Sequence, residues 1–241
     1  MSSNSFVFKQ FEIKQDKCAM KVGTDAVLLG AWADATQAKR VLDIGTGTGI
    51  LALMIAQKSE AQICAIDIDI DSYQQAIENI HYTLWKDRIQ IFHSSIQEFS
   101  KTINEQFDLI ITNPPYFTDA YKAKEISRNN ARHTDELPFE ILIECVCKLL
   151  QPQGVFYIIL PFAEAQIFKN MAKQNNLCLV QSMRIKTKAD KEPKRLLMKY
   201  SFEQKIQEET EIVIENDDRH HYTKEYIELT KDYYLDIDKQ K

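Results

Sequence analysis

The sequence predicts an α/β protein: a mostly parallel, seven-stranded sheet with helices on both faces and an antiparallel edge strand. Three observations carry that prediction. From Arg40 onward, short apolar runs alternate with segments of helical period. The connections between them are short, as in repeated strand–helix–strand units. Near the end, two strand-like runs at 177–185 and 195–202 flank a charged tip, the pattern of a hairpin that adds an antiparallel edge.

Taken in order, the opening residues 6–18 place Phe6, Phe8, Phe11 and Ile13 in the alternation of a short strand or hairpin. Thr24 or Asp25 is suited to cap a helix ending near Trp32. Strands are predicted at 40–44, 62–66, 88–92, 107–112 and 155–160, with helices at 50–58, 72–83, 96–103, 139–150 and 163–175. After the hairpin, 211–214 has the makings of a further edge strand and 224–233 of a short helix. The organisation expected is an N-terminal hairpin-and-helix extension (1–39) packed on a catalytic domain (40–202), with 203–241 an acidic appendage of the same domain.

Composition narrows the class. The 241 residues are 44% apolar and 27% charged with a net charge of −5, the balance of a soluble globular protein. No run of about 18 apolar residues is present, so no membrane span is expected. Residues 1–10 lack the layout of a secretory signal. The five cysteines form no CxxC pair and no Cys/His metal spacing, which points to reduced thiols in a cytoplasm and to no metal site. The tail 203–241 carries a charge of −6, leaving +1 on the rest. Within that remainder, residues 184–199 hold seven basic residues against Asp190 and Glu192. Such a patch admits a polyanionic partner without requiring one.

Two motifs carry chemistry. The first is Val41-Leu-Asp43-Ile-Gly45-Thr-Gly47-Thr-Gly49-Ile50, where a strand turns into a helix. Glycines there let the backbone approach a ligand that a Cβ would block, and ligands of open parallel sheets bind at the carboxyl ends of strands. Asp67 closes the next strand, 18 residues after Gly49, placed to accept hydrogen bonds from the two hydroxyls of an adenosine ribose. The dinucleotide fingerprint GxGxxG requires a third glycine at position 50, where this chain has Ile.

The second motif, Asn113-Pro114-Pro115-Tyr116, ends the apolar strand 107–112. The prolines remove two donors and stiffen the chain, and Asn113 is held extended by the proline after it. The Asn113 side-chain oxygen and the Pro114 carbonyl can then aim at one point and receive both hydrogens of an –NH₂ group. An amino nitrogen conjugated to a ring is a poor nucleophile, so acceptors out of the ring plane, which favour a pyramidal nitrogen, supply what the reaction lacks. Tyr116 would stack on a planar target.

With both motifs in place, the chain resembles the Rossmann-like class I methyltransferases with an NPPY motif. Within them it is similar to the bacterial tRNA1(Val) (adenine(37)-N6)-methyltransferase family. The resemblance runs from about Phe8 to Phe202; its most specific pieces are Phe8-Lys-Gln-Phe, Gln15-Asp-Lys-Cys-Ala-Met-Lys-Val-Gly-Thr-Asp25, Leu29-Gly-Ala-Trp32, the glycine turn and the Asn-Pro-Pro-Tyr run. It implies S-adenosylmethionine as cofactor, held by Asp43, Gly45, Gly47, Gly49 and Asp67 with Asn113 alongside, and adenine N6 in tRNA as the methyl acceptor, held by Asn113, Pro114 and Tyr116. Where the family commonly ends its third strand with an Asp that accepts from the cofactor's adenine amino group, this chain has Ser95, followed by Ile96 whose backbone would share that task.

Arg128 and Arg132, in a segment that also resembles the family, are suited to clamp phosphates beside the target base, and Lys188, Lys191 and Lys194 to contact RNA backbone; both sets read equally well as solvated charges. His133 could carry away a proton, and His220 and His221 read as part of a solvated loop. No obligate protein partner is indicated. A protein-glutamine N5-methyltransferase also acts on an –NH₂, but such enzymes usually carry a helical domain ahead of the glycine turn, and only 39 residues precede Arg40. DNA adenine or rRNA guanine-N2 methylation are variants of the same chemistry, with no added target-recognition domain visible; a non-catalytic nucleic-acid binder would not need the intact motif.

Overall fold

The computed structural model describes residues 4–18, 20–115, 137–216 and 221–237. A small hairpin of β1 (Ser5–Val7) and β2 (Glu12–Lys14) leads into α1 (Thr24–Trp32). Then follow β3 (Arg40–Ile44), α2 (Ile50–Lys58), β4 (Gln62–Asp67), α3 (Ile70–His81), β5 (Ile89–His93), α4 (Ile96–Thr102) and β6 (Phe107–Thr112). The second part holds α5 (Phe139–Leu149), β7 (Leu150–Pro161), α6 (Phe162–Gln174), β8 (Cys178–Lys186), β9 (Arg195–Ser201), β10 (Glu208–Val213) and α7 (Lys224–Thr230).

The α/β class holds, and the main sheet has eight strands in the order β10-β8-β9-β7-β6-β3-β4-β5. All run parallel except β9, which is antiparallel to both β7 and β8. The sequence suggested seven strands with the antiparallel one at the edge. Instead β10 pairs parallel with β8 and extends the sheet, so β9 lies two places in from the edge.

Helices cover both faces. One face packs α1 and α2 into a cluster with Val41, Leu109 and Ile159; the other buries Leu142, Val146 and Phe168 of α5 and α6 against Leu42, Ile110 and Ile158. Every residue of α2 from Ile50 to Ala56 is buried, which an ordinary surface helix cannot achieve. The reason is α1, which lies over its outer side so closely that a Cβ on Gly30 would sit 2.6 Å from the Met54 sulfur. The helix at the N-terminus is therefore the cover of an apolar core element.

Local chemistry sets the element ends. The start of α3 falls at Ile70, two residues before the predicted start, because the Asp69 side chain caps it by accepting the Ser72 amide at 2.8 Å. Neither Thr24 nor Asp25 caps α1; both lie inside it, with Gly23 at the cap position. Pairing of β7 begins at Leu150 opposite Phe107 and resumes at Val155 opposite Leu109. Residues 151–154 bulge out between, which is why only 155–160 carries a strand pattern.

The N-terminal hairpin meets the segment after α7. Phe8 bridges Tyr234, the Lys9 amide donates to the Tyr233 carbonyl at 2.8 Å, and Phe8 stacks on Phe11 with centroids 4.7 Å apart. Tyr233 in turn donates its hydroxyl to the Met54 carbonyl of α2 at 3.2 Å. Replacing Phe8, 2% exposed, by Ala should cost about 3–5 kcal/mol of stability. The midpoint of urea unfolding would report it, and a shift under about 1 kcal/mol would mean the two ends do not stabilise the body.

Candidate active site

Parallel register brings the site residues level. Ile66, Ile44 and Thr112 occupy one row across β4, β3 and β6. The next residues along those strands are Asp67, Gly45 and Asn113, so all three emerge at the carboxyl edge. With a strand spacing of about 4.8 Å, Asp67 and Asn113 stand roughly 10 Å apart with the glycine turn between them. The row is pinned by the Thr112 hydroxyl, which donates to the Ile44 carbonyl at 2.8 Å.

The turn is left-handed at each glycine, with φ of 68° at Gly45, 56° at Gly47 and 84° at Gly49. Such φ values are costly for any residue with a Cβ. At Gly45 and Gly47 an added Cβ would meet no protein atom within 4 Å. The space above these two is open, a cradle that a side chain would fill.

Two carboxylates hold the turn, one from outside and one from within. Asp67 accepts the Gly47 amide at 2.7 Å on one oxygen and the Asp69 amide at 2.9 Å on the other. Each oxygen retains a lone pair for a further donor. Burial raises its pKa, opposed by those two amide bonds. Asp43 is fully buried; its Oδ2 accepts the Thr46 hydroxyl at 2.6 Å and the Ala52 amide at 3.2 Å, while Oδ1 has no partner. Desolvation pushes the Asp43 carboxyl up to about 7. In this arrangement Asp43 ties the turn to the first turn of α2.

Beyond Asp67, Ser95 is the N-cap of α4 and accepts the Glu98 amide at 3.2 Å. That accounts for one of the hydroxyl's two acceptor positions. The Ile96 side chain is buried in the core, so any ligand contact from it must come from the backbone. On the other side, Asn113 is partly exposed and Pro114 is buried. Asp43, Gly45, Gly47, Gly49, Asp67, Ser95, Ile96, Asn113 and Pro114 thus lie along one edge of the sheet; Tyr116, Arg128, Arg132 and His133 lie outside the described residues, as does His220.

The basic tip 187–194 leaves the same edge, since β8 ends there at Lys186 and β9 begins at Arg195 opposite Pro161. Its strands β9 and β8 stand two and three places from β6, about 10 and 14 Å away. The free charge of the basic stretch 184–199 is smaller than the sequence implies. Arg184 pairs with Glu209 at 2.5 Å and Lys186 with Glu211 at 3.1 Å on β10, Arg195 with Asp25 at 2.8 Å, and Lys191 with Asp190 at 3.0 Å.

Residues that the motifs did not flag also build the site. Asn79 of α3 binds Lys14 at the end of β2 and Gln75 binds Lys17 just after it, and Cys18 of the same stretch is buried, hydrogen-bonded to Ser72 beside Asp67 and Asp69. Burial pushes its thiol up to about 11, so it is not a nucleophile at neutral pH. For Asn79 and Gln75 the only signal in the sequence is polar residues on one side of an otherwise amphipathic helix, whereas Cys18 lies in the run 15–25 that resembles the family. Among the described residues no group of His, Cys, Asp and Glu is placed to hold a metal, and no helix is long and apolar enough to cross a membrane.

A left-handed glycine turn after a strand of a parallel sheet, with a carboxylate ending the strand beside it, is the ligand-binding arrangement of Rossmann-like folds, the class that includes the class I methyltransferases. A solved structure from Agrobacterium tumefaciens, described as a predicted O-methyltransferase, shares this fold with a TM-score of 0.68 at 16% identity, covering 87% of this chain and 96% of that one. The methyltransferase small domain family matches residues 18–160. A protein of Phocaeicola vulgatus named tRNA1(Val) (adenine(37)-N6)-methyltransferase is 46% identical over 98% of this chain and all of its own length. A protein of Flavobacterium johnsoniae with the same name is 44% identical over 95% of this chain and 99% of its own. The chain belongs to the tRNA1(Val) (adenine(37)-N6)-methyltransferase family.

The buried Asp43 gives a pH test. Its folded-state pKa lies above the unfolded value, so the folded form holds the proton more tightly, and this carboxyl lowers stability as pH rises from about 4 to about 7. Asp43→Asn keeps an acceptor for Thr46 and Ala52 without the charge. Its stability relative to wild type should therefore increase across that range and level off above it, as read by urea unfolding at each pH. A difference independent of pH would show that the Asp43 carboxyl titrates alike in the folded and unfolded chain.

Proposed function

We propose that this protein transfers a methyl group from S-adenosylmethionine to N6 of an adenine in tRNA, adenine-37 of tRNA1(Val). The row that sets Asn113 beside the glycine turn and Asp67 is the observation that carries it, supported by the activity named for the two relatives. A glutamine substrate has no comparable support. A tRNA substrate also puts the enzyme in the cytoplasm. Residues 1–39 and 203–241 belong, in this reading, to the same unit as the 40–202 domain, supported by the contacts of Phe8 with Tyr234 and of α1 with α2.

The residues present fit the cofactor. The open cradle over Gly45 and Gly47 admits its amino-acid end, Asp67 has lone pairs for ribose hydroxyls, and Ser95 with the Ile96 backbone suits an adenine edge. When bound, S-adenosylmethionine supplies an electrophilic methyl group. Asn113 accepts one amino hydrogen of the target and the Pro114 carbonyl the other, so the nitrogen lone pair is freed from conjugation and directed away from the ring. Once the methyl has transferred, the nitrogen is cationic and its proton is acidic; it leaves to solvent without a dedicated base. Tyr116 stacks on the adenine, and Arg128 and Arg132 hold flanking phosphates.

Asn113→Ala should lower methyl transfer by about 100-fold or more while cofactor binding stays within a few-fold. Labelled cofactor, total tRNA and nucleoside analysis for N6-methyladenosine measure it. Wild-type activity in the mutant would remove Asn113 from the chemistry, and a labelled nucleoside other than N6-methyladenosine would overturn the substrate.

Charge reversal at Lys188, Lys191 and Lys194 tests the RNA surface. The dependence of tRNA affinity on salt should flatten by roughly 0.7–0.9 in slope for each phosphate that is no longer neutralised, with cofactor affinity unchanged. Unchanged tRNA affinity in the triple variant would take the tip out of the interface.

A further inference from the structure

The glycine turn and the N-terminal segment meet on a residue that belongs to neither. Asn79 of α3 is 4% exposed, and its amide is fully engaged. Its Oδ1 accepts the Lys14 amide at 2.9 Å, and its Nδ2 donates to the Lys14 carbonyl at 2.9 Å and the Thr48 carbonyl at 2.8 Å. Thr48 lies between Gly47 and Gly49, so the last bond fixes a carbonyl in the middle of the left-handed turn.

Gln75, four residues earlier on the same helix face, is fully buried and accepts the Lys17 amide at 2.9 Å. Glu78, between them, takes the Lys14 and Lys17 ammonium groups at 2.8 and 2.9 Å. Residues 14–17 are thus held at both ends, and the next residue, Cys18, is buried beside Asp67. Helix α3 also touches the turn directly: a Cβ on Gly49 would lie 3.4 Å from Ile80 and 3.5 Å from Ala76.

We propose that Asn79 is a positioning residue for the cofactor, which with Gln75 locks segment 14–18 and the glycine turn into one wall of the cofactor site. The proposal rests on the reading above that the turn and Asp67 hold S-adenosylmethionine. Neither the segment nor the turn can shift without leaving buried polar groups unpaired, a cost far larger than the bonds return in water. The amide is required because two of its partners are carbonyls that need donors and one is an amide that needs an acceptor; a carboxylate would face both carbonyls with lone pairs. A wall fixed before binding spares the cofactor the entropy of ordering it.

Calorimetric titration with S-adenosylmethionine, well below each variant's melting temperature, tests this on the whole chain as wild type, Asn79→Ala, Asn79→Asp and Asp67→Ala. Turnover on tRNA is measured in parallel at saturating cofactor. Both Asn79 variants should bind the cofactor at least about tenfold more weakly, a loss near 1.4 kcal/mol, with kcat within about threefold of wild type. A purely structural role would lower the melting temperature and leave that affinity intact. Wild-type affinity in Asn79→Ala, with affinity lost in Asp67→Ala, overturns the proposal and keeps the site; wild-type affinity in both overturns the two together. Should the Asn79 variants not fold, amide exchange of the wild type decides. Protection of the Lys14 and Lys17 amides that rises on adding cofactor supports the shared wall, and protection that does not change overturns it.

Discussion

The parallel pairing of β4, β3 and β6 is the constraint on which the rest depends. Because the strands run the same way and pair in step, Ile66, Ile44 and Thr112 form one row, and the residues after them leave the sheet together. A slip of one residue in β6 would turn Asn113 to the other face of the sheet and away from the glycine turn. The apolar residues of both faces prevent such a slip: Leu109 and Ile111 pack on one side and Ile110 on the other, all 1% exposed or less. Chemistry at the edge is therefore set by burial in the middle of the sheet.

Electrostatics at that edge is arranged around a buried acid. Asp43 and Asp67 both lose hydration, and Asp67 adds a minor upward push to the Asp43 pKa. Asp67 has backbone donors on both oxygens and is 9% exposed, whereas Asp43 is fully buried and has an oxygen with no partner. The two residues thus divide the work, one shaping the loop from beneath and one presenting acceptors above it. The same economy governs the basic hairpin, where glutamates of β10 face Arg184 and Lys186. The acidic tail and the basic strand β8, separate features in the sequence, are paired with one another in the fold.

The two ends of the chain complete the body on the face opposite α5. Helix α1 covers α2, the aromatic group of Phe8, Phe11 and Tyr234 joins hairpin to tail, and Asn79 and Gln75 carry that order to the glycine turn. Mechanical continuity from the N-terminus to the cofactor side follows, through polar groups that are each matched.

The sequence by itself determined the pieces whose conformation is local. Glycines at 45, 47 and 49 specify a left-handed turn because other residues resist positive φ, and Asn113 before two prolines specifies an extended strand end. The βα alternation specified the parallel sheet, because each apolar run needs helices on both sides. Tertiary structure alone decided which strand ends stand side by side, that β10 crosses to the far edge and places β9 inside, and that Arg184, Lys186 and Arg195 are paired with acids. It alone brought Asn79 to Lys14, 65 residues away in the chain. Such contacts leave no period and no motif, because a single amide can satisfy any backbone that reaches it, and only the packed core says which backbone does.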